Sequence, residues 1–243
     1  IGDSPMRLAN TGTAITTWAS NNNGLGVSTN DGLASNDEYL SAFYPSGRTN
    51  DLTGTSIVVP PSHMMLRTII HSDEQSYPWL APAGTRRGQV DNVDAIGYID
   101  AVTGEFQQMS TRQGIRDVLY SNNINPITFI PGAGIVNFDN KTTKPGSAID
   151  RINVSRLTSY IRVQADAISK LFVFEPNDKL TRDQIKGQME LMLNDLIAKR
   201  GIYNYVVVCD KSNNTNVRID RNELWVDLAI EPTKSAEFIY VPV

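Results

Sequence analysis

Cysteine occurs once and histidine twice in the 243 residues, and no apolar run approaches the roughly 20 residues that a membrane-spanning helix needs. Cys209 follows Tyr205-Val206-Val207-Val208 in a run that reads as a strand, cannot form an internal disulfide, and is expected to be a core thiol. Neither His63 nor His71 belongs to an H-E-x-x-H pattern, so zinc has little support. Basic residues are also short: 22 Lys and Arg against 26 Asp and Glu leave a formal charge of -4. A protein that coats nucleic acid needs a dense basic surface to displace counterions from phosphates, so direct nucleic-acid binding is not expected. The lack of a long apolar run predicts a soluble protein without membrane insertion. The chain opens on Ile1 with no basic-then-apolar leader, and is expected to be a piece of a longer polypeptide. Its length is compatible with one large domain or two small ones, and one is expected.

Catalytic motifs are scarce. There is no G-x-S-x-G elbow, although a Ser–His–Asp triad stays open because its members need not be neighbours in sequence. Gly132 and Gly134 of "PGAG" have G-x-G spacing after an apolar segment, but a dinucleotide loop needs a third glycine and a P-loop needs a lysine. A tight turn between two strands is the expectation. From Asp210, the alternation with Ser212 and Asn214 imitates a calcium loop, yet Thr215 and Arg221 occupy the positions that require glycine and an acid. Neither a metal nor a cofactor is expected. Glu175 and Asp178 pair two carboxylates in "LFVFEPNDKLTRDQ", but glycoside chemistry needs them facing each other across a cleft, which a corner does not assure.

What is present is a mixture of helical and strand signals. Residues 21–36 and 81–88 are turn-rich and read as loops, with a short strand at 24–27, while 8–20 is ambiguous between helix and strand. Pro60-Pro61 ends the β-branched run Ile57-Val58-Val59 and can open a helix through residues 64–70. Asn153 can cap a helix with Val154, Leu157, Ile161, Ala165, Ile168 and Phe172 on one face. The segment 171–174 reads as the buried apolar start of the next corner. Pro176 breaks the helix there, and Thr181 can cap a second one carrying Ile185, Met189, Met192, Leu193, Leu196 and Ile197, stopped at Gly201. Strand-like runs follow at 202–209, 224–230 and 238–241. Phe238 and Tyr240 face one side of the last run, Ile239 and Val241 the other, so it is apolar on both faces. Such a strand is either central in its own sheet or donated to a neighbour. The predicted fold is mixed α/β (α+β): a central mixed sheet flanked by helices, with a C-terminal strand or arm.

Seven stretches taken together resemble the conserved core of contractile tail sheath proteins. They are "YLSAFYP" (39–45), "IVVPPSH" (57–63), "YPWLAPAG" (77–84), "INPITFIPGAGIVNFDNKT" (124–142), "DRINVSRLTSYI" (150–161), "FVFEPND" (172–178) and "CDKSNN…IDRNELWVDLAIEPTKSAEFIYV" (209–241), in the family's order. The resemblance implies a structural, non-enzymatic subunit of a contractile tail. Many copies would polymerise around a tail tube, in a virion tail assembled in the host bacterial cytoplasm. A signal from the baseplate would trigger contraction and drive the tube through the envelope. Partners implied are other copies, the tube protein and the baseplate.

Carried onto this chain, the resemblance makes 1–36 a loop-rich lead-in, 37–231 the conserved core and 232–243 an arm with its boundary at Pro232. Phe238, Ile239, Tyr240 and Val241 would form the inter-subunit strand, and Glu175, Pro176, Asn177 and Asp178 the signature corner joining two helices. The expected tube-facing residues are Arg182, Asp183, Lys186 and Glu190. The family's N-terminal arm has no counterpart, and residues 81–108 have no clear place in its pattern. Two alternatives from other classes are a tail-associated cell-wall hydrolase, with Glu175 or Asp178 as the acid, and a host-surface binding module.

Overall fold

The computed structural model of the chain describes residues 1–20 and 36–237; the strand expected at 24–27 and the terminal run 238–241 lie outside the described residues. The chain forms two compact units, Ile1–Ser155 and Arg156–Val243. That division falls inside the 37–231 stretch read from sequence as one core.

The first unit runs β1 (Gly2–Asp3), α1 (Gly12–Ser20), β2 (Ala42–Tyr44), β3 (Ser46–Asn50), β4 (Ser56–Val59), α2 (Pro61–Gln75), α3 (Gly84–Arg87), β5 (Ala95–Ile99), β6 (Phe106–Gln108), α4 (Gln113–Ser121), β7 (Ile124–Ile130) and β8 (Gly134–Asn137), then the start of α5 (Ile152–Lys170). Among the described residues these strands make two four-stranded sheets, ordered β1-β2-β7-β8 and β4-β3-β5-β6. In the first, β1, β2 and β7 are parallel and β8 returns antiparallel; the second is antiparallel throughout. Parallel strands need both faces covered, and the alternation along β2 provides for it. Ala42 and Tyr44 join Ile15 and Trp18 of α1, Leu119 of α4 and Ile124 in one cluster. Phe43, pointing the other way, joins Met64 and Met65 of α2, Val93, Ile96 and Ile127 in another. Fully buried Asn125 locks the parallel pair: its Nδ2 donates to the carbonyls of Ala42 (2.9 Å) and Lys141 (2.8 Å), and its Oδ1 accepts from the Lys141 N–H (2.7 Å).

Local rules account for several boundaries. Pro60 precedes α2 in an extended conformation and Pro61 opens it, where a missing N–H costs nothing. The "PGAG" stretch is the turn between β7 and β8, with positive φ at Gly132 (84°) and Gly134 (80°), a conformation glycine adopts without Cβ strain. The ambiguous segment 8–20 resolves as α1, with Ile15 and Trp18 buried three residues apart. Residues 81–88 are not all loop: Gly84–Arg87 forms the short α3, closed by the Gly88 N–H donating to the Gly84 carbonyl.

The second unit contains the rest of α5, then α6 (Lys179–Ala198), β9 (Ile202–Val208), α7 (Asn216–Asp220) and β10 (Asp227–Pro232). Both expected caps move. α5 already begins at Ile152, so Asn153 lies in its first turn, where its Oδ1 accepts from Asn140 Nδ2 at 2.7 Å. Asp178, not Thr181, caps α6: its Oδ1 accepts the Thr181 N–H at 2.8 Å, and Thr181 is the third helical residue. Both residues suit a cap, but Pro176 breaks the chain early enough for the first one to act. Of the six apolar positions expected on its face, α6 buries Ile185, Met189, Leu193 and Leu196, while Met192 is half-buried and Ile197 is exposed. β9 and β10 form an antiparallel ribbon. The strand expected from Leu224 starts only at Asp227, because the backbone N–H and carbonyl of Trp225 are taken by the side chains of Asn213 and Asn214.

Candidate assembly surfaces

The corner between α5 and α6 carries the signature residues. Leu171 and Phe172 continue α5 as a turn, their N–H groups donating to the carbonyls of Ile168 and Ser169. Phe174 then takes a positive φ of 72°, and Pro176 prevents any return to helix. Asn177 fastens the corner: its Nδ2 donates to the Glu223 carbonyl (2.9 Å), while Arg182 Nη1 donates to its Oδ1 (2.8 Å) and its carbonyl (3.2 Å). The N–H of Thr181, donated to Asp178, holds that carboxyl below the usual carboxylate range. Glu175 is exposed. Three of the four signature positions therefore shape and fasten the turn.

The segment 171–174 departs from expectation. Leu171, Val173 and Phe174 are exposed, and Phe172 is only half-buried. The periodicity identifies these positions as apolar but does not say which of them their own unit covers.

The four residues expected to face a tube separate. Arg182 is 6 % exposed and is committed to Asn177, so it belongs to the corner's framework and not to the outer face. Asp183 is exposed, and Lys186 and Glu190 are half-exposed with Nζ and Oε1 3.8 Å apart. Beside this charged stripe, Leu180, Gly187 and Leu191 form a second one, at intervals of seven and four on α6. Both leucines are exposed. A Cβ added to Gly187 would meet nothing within 4 Å.

The loop that imitates a calcium site is built for a different purpose. Asn213 Nδ2 donates to the carbonyls of Val208 (2.8 Å) and Trp225 (3.1 Å) and to Asp227 Oδ2 (3.0 Å), while its Oδ1 accepts the Asp210 N–H (3.0 Å). Asn214 grips Trp225 from both sides, its Oδ1 accepting the N–H (2.7 Å) and its Nδ2 donating to the carbonyl (2.9 Å). The Arg218 guanidinium lies 4.0 Å from the Trp225 ring and donates to the Asn213 carbonyl. Ser212, through its hydroxyl and N–H, holds the Asp210 carboxyl low. These contacts join the end of β9 to the start of β10. Sequence reading singled out this loop but missed the roles of Asn213 and Trp225; adjacent asparagines between two strands are the available signal. Cys209 at the loop's entry is buried, and burial pushes its thiol pKa up, in keeping with a core thiol.

Pro232 is the last residue of β10, after a register shift at Glu231. The chain remains anchored one residue further, where the Thr233 N–H and hydroxyl donate to the carbonyls of Gly201 and Arg200. Phe238, Ile239, Tyr240 and Val241 lie outside the described residues. Among the described residues, no helix is long and apolar enough to cross a membrane, and no three His, Cys, Asp or Glu side chains gather in metal-binding fashion.

Comparison with known proteins relates the chain to one family. Residues 144–243 match the model of the phage tail sheath C-terminal domain. The tail sheath protein of Vibrio phage KVP40 is 36 % identical over 170 residues, covering 70 % of this chain and 24 % of that protein. That of Enterobacteria phage T4 is 38 % identical over 169 residues, covering 69 % of this chain and 24 % of the other. The chain thus spans about a quarter of the length of the curated relatives it matches. Its fold is similar to the helical sheath of the anti-feeding prophage in its contracted state, with a TM-score of 0.73 at 19 % identity, covering 92 % of this chain and 59 % of that one. The PVC sheath complex of an extracellular contractile injection system, also contracted, gives 0.73 at 18 % identity, covering 86 % and 56 %. Sequence identity and the matched C-terminal domain converge with the mixed α/β architecture and its strand ribbon: the chain belongs to the contractile tail sheath protein family.

Proposed function

We propose that the chain is part of a structural subunit that polymerises around a tail tube and contracts to drive it through a bacterial envelope. The observation that carries this reading is the β9–β10 ribbon. It pairs Val208 with Asp227 through to Ile202 with Pro232, and among the described residues neither strand has a further partner. Two strands alone are marginal, and open edges are templates for another chain. Strand addition by neighbouring copies satisfies those edges. Phe238, Ile239, Tyr240 and Val241, apolar on both faces, are the donor segment, and Pro232 marks where the arm leaves the ribbon. The charged stripe of Asp183, Lys186 and Glu190 is assigned to the tube protein.

The role is mechanical rather than catalytic, with other copies, tube and baseplate as partners, in a virion tail assembled in the host bacterial cytoplasm. A glycan-cleaving acid needs a raised pKa to stay protonated. Asp178 is held low by its capping bond, which counts against it in the hydrolase role. The test is electron microscopy of the longer polypeptide that contains this chain, with and without Phe238→Asp and Tyr240→Asp. Wild type should form tubes, whereas the double variant should fold but not extend them. Normal tubes from the variant would remove the arm assignment; absence of wild-type tubes, with saturable cleavage of a wall polymer, would remove the sheath reading.

A further inference from the structure

Residues 1–8 divide into a firmly held root and a loosely held lead. Leu8 is buried and its carbonyl accepts the Tyr44 hydroxyl at 3.2 Å, while the Met6 carbonyl accepts the Ile99 N–H at 2.7 Å. Tyr44 and Ile99 belong to β2 and β5, so the root is fixed to both sheets of the first unit. Ahead of it stands Pro5, and ahead of Pro5 the strand β1 is only two residues long. β1 lies at the edge of its sheet and pairs in parallel with β2 alone, the weaker kind of pairing per residue. Its Gly2 N–H donates to the Ser41 carbonyl at 2.7 Å. Leu8 joins the cluster around Tyr44, but neither that cluster nor the one around Phe43 draws a residue from 1–4.

A side chain supplies the hold that the short strand lacks. Pro60 gives α2 no side-chain cap, and Asp3 provides one from 59 residues away: Oδ1 accepts the Ser62 N–H at 2.6 Å and Oδ2 accepts the Ser62 hydroxyl at 2.8 Å. A carboxylate suits that position, because the first N–H groups of a helix lack partners and carry its positive end. Both bonds are exposed, so water competes for them. Ser4 acts in the opposite direction. It is 2 % exposed and its Oγ has no partner, so closure strips a hydroxyl of water without replacing the hydrogen bond.

We propose that residues 1–4 are a strap that opens and closes about Pro5 while the rest of the first unit stays folded. Closed, the strap caps α2 through Asp3 and covers the outer edge of β2. Open, it returns the Ser4 hydroxyl to water, leaves the first turn of α2 without its acceptor and uncovers the backbone edge of Ala42–Tyr44. The side chains of those three residues keep their places, since their packing comes from the two clusters and not from β1. A segment with few apolar contacts and exposed hydrogen bonds opens locally, ahead of global unfolding. The strap goes beyond the sheath reading and stands without it.

Amide hydrogen exchange at single-residue resolution on the intact protein tests it. The Ser62 N–H reports the strap, the Ile99 N–H its root, and the Phe138 N–H, bonded to the Pro126 carbonyl, the sheet. After correction for intrinsic rates, Ser62 should exchange roughly tenfold or more faster than the other two. Asp3→Ala should raise the Ser62 rate by a further factor of roughly ten or more, and Ser4→Ala, which removes the orphaned hydroxyl, should lower it about fivefold. Neither variant should change Ile99 or Phe138. Asp3→Asn keeps the shape and one acceptor, serves if Asp3→Ala does not fold, and should give an intermediate increase. Equal rates at all three amides in the wild type, or a Ser4→Ala effect shared by all three, mean that the strap opens only with the whole unit and overturn the proposal. An unchanged Ser62 rate in Ser4→Ala means that the Asp3 bonds break without movement of the strap, and overturns it as well.

Discussion

Replacing Asn213 tests whether the ribbon proposed to connect subunits depends on one buried amide. The two Nδ2 hydrogens are shared among the carbonyls of Val208 and Trp225 and the Asp227 carboxylate, and Oδ1 receives the Asp210 N–H. Asn213→Ala therefore loses about two hydrogen bonds' worth of net stabilisation, near 1 kcal/mol each, and leaves an N–H unpaired at a further cost of about 1 kcal/mol or more. The sum is about 3 kcal/mol, a large fraction of a typical domain's stability. With a urea dependence of ~2 kcal/mol per M, the unfolding midpoint should fall by roughly 1.5 M. Hydrogen exchange should place the loss in β9 and β10. Asn213→Asp is the sharper variant, since it keeps the shape but turns an acceptor-only carboxylate toward two carbonyls and Asp227. It should be less stable than Asn213→Ala. An Asp variant as stable as wild type would refute the hydrogen-bond account, and recovery of either variant on adding millimolar calcium would revive the metal-loop reading.

Three further outcomes follow from local geometry. A Cβ at Gly88 would lie 2.7 Å from the Asn137 carbonyl oxygen and 2.7 Å from the Ala83 Cα, backbone atoms that cannot swing aside, so Gly88→Ala should cost about 2 kcal/mol in thermal or chemical unfolding. Arg182→Met removes both hydrogen bonds that Nη1 donates to Asn177 and should destabilise by about 1–3 kcal/mol, with exchange rising at residues 177–181. The Asp178 pKa is lowered in the folded chain, so its capping contribution is fully present above the unfolded value near ~4 and is lost as pH falls through the folded value. The stability gap between wild type and Asp178→Ala should therefore close on acidification, while Asp178→Asn, which keeps a neutral acceptor, should show a weaker dependence.

The sequence is most legible where one residue type permits a single local conformation. Pro60 and Pro61 mark the boundary between β4 and α2, the glycines of "PGAG" mark a hairpin, and the buried stripe of α6 follows from its spacing. Errors arise where two residues compete for one role. Asp178 and Thr181 both suit a cap, and the choice depends on how soon Pro176 ends the preceding turn. Side-chain chemistry without periodicity is also hard to read: Asn213 and Asn214 delay β10 to Asp227 by occupying the Trp225 backbone, and no hydrophobic pattern announces that. Arg182 reads as a surface charge in a helical repeat, yet its partner lies five residues away at the corner.

The misreading of residues 171–174 has a different origin. Apolar spacing reports that a face needs covering, but it does not distinguish cover by the same chain from cover by another. On the proposed sheath reading, strand donation by Phe238, Ile239, Tyr240 and Val241 would supply the connectivity between copies, so charges at Phe238 and Tyr240 should prevent tube extension, whereas Phe174→Ser should leave strand exchange intact.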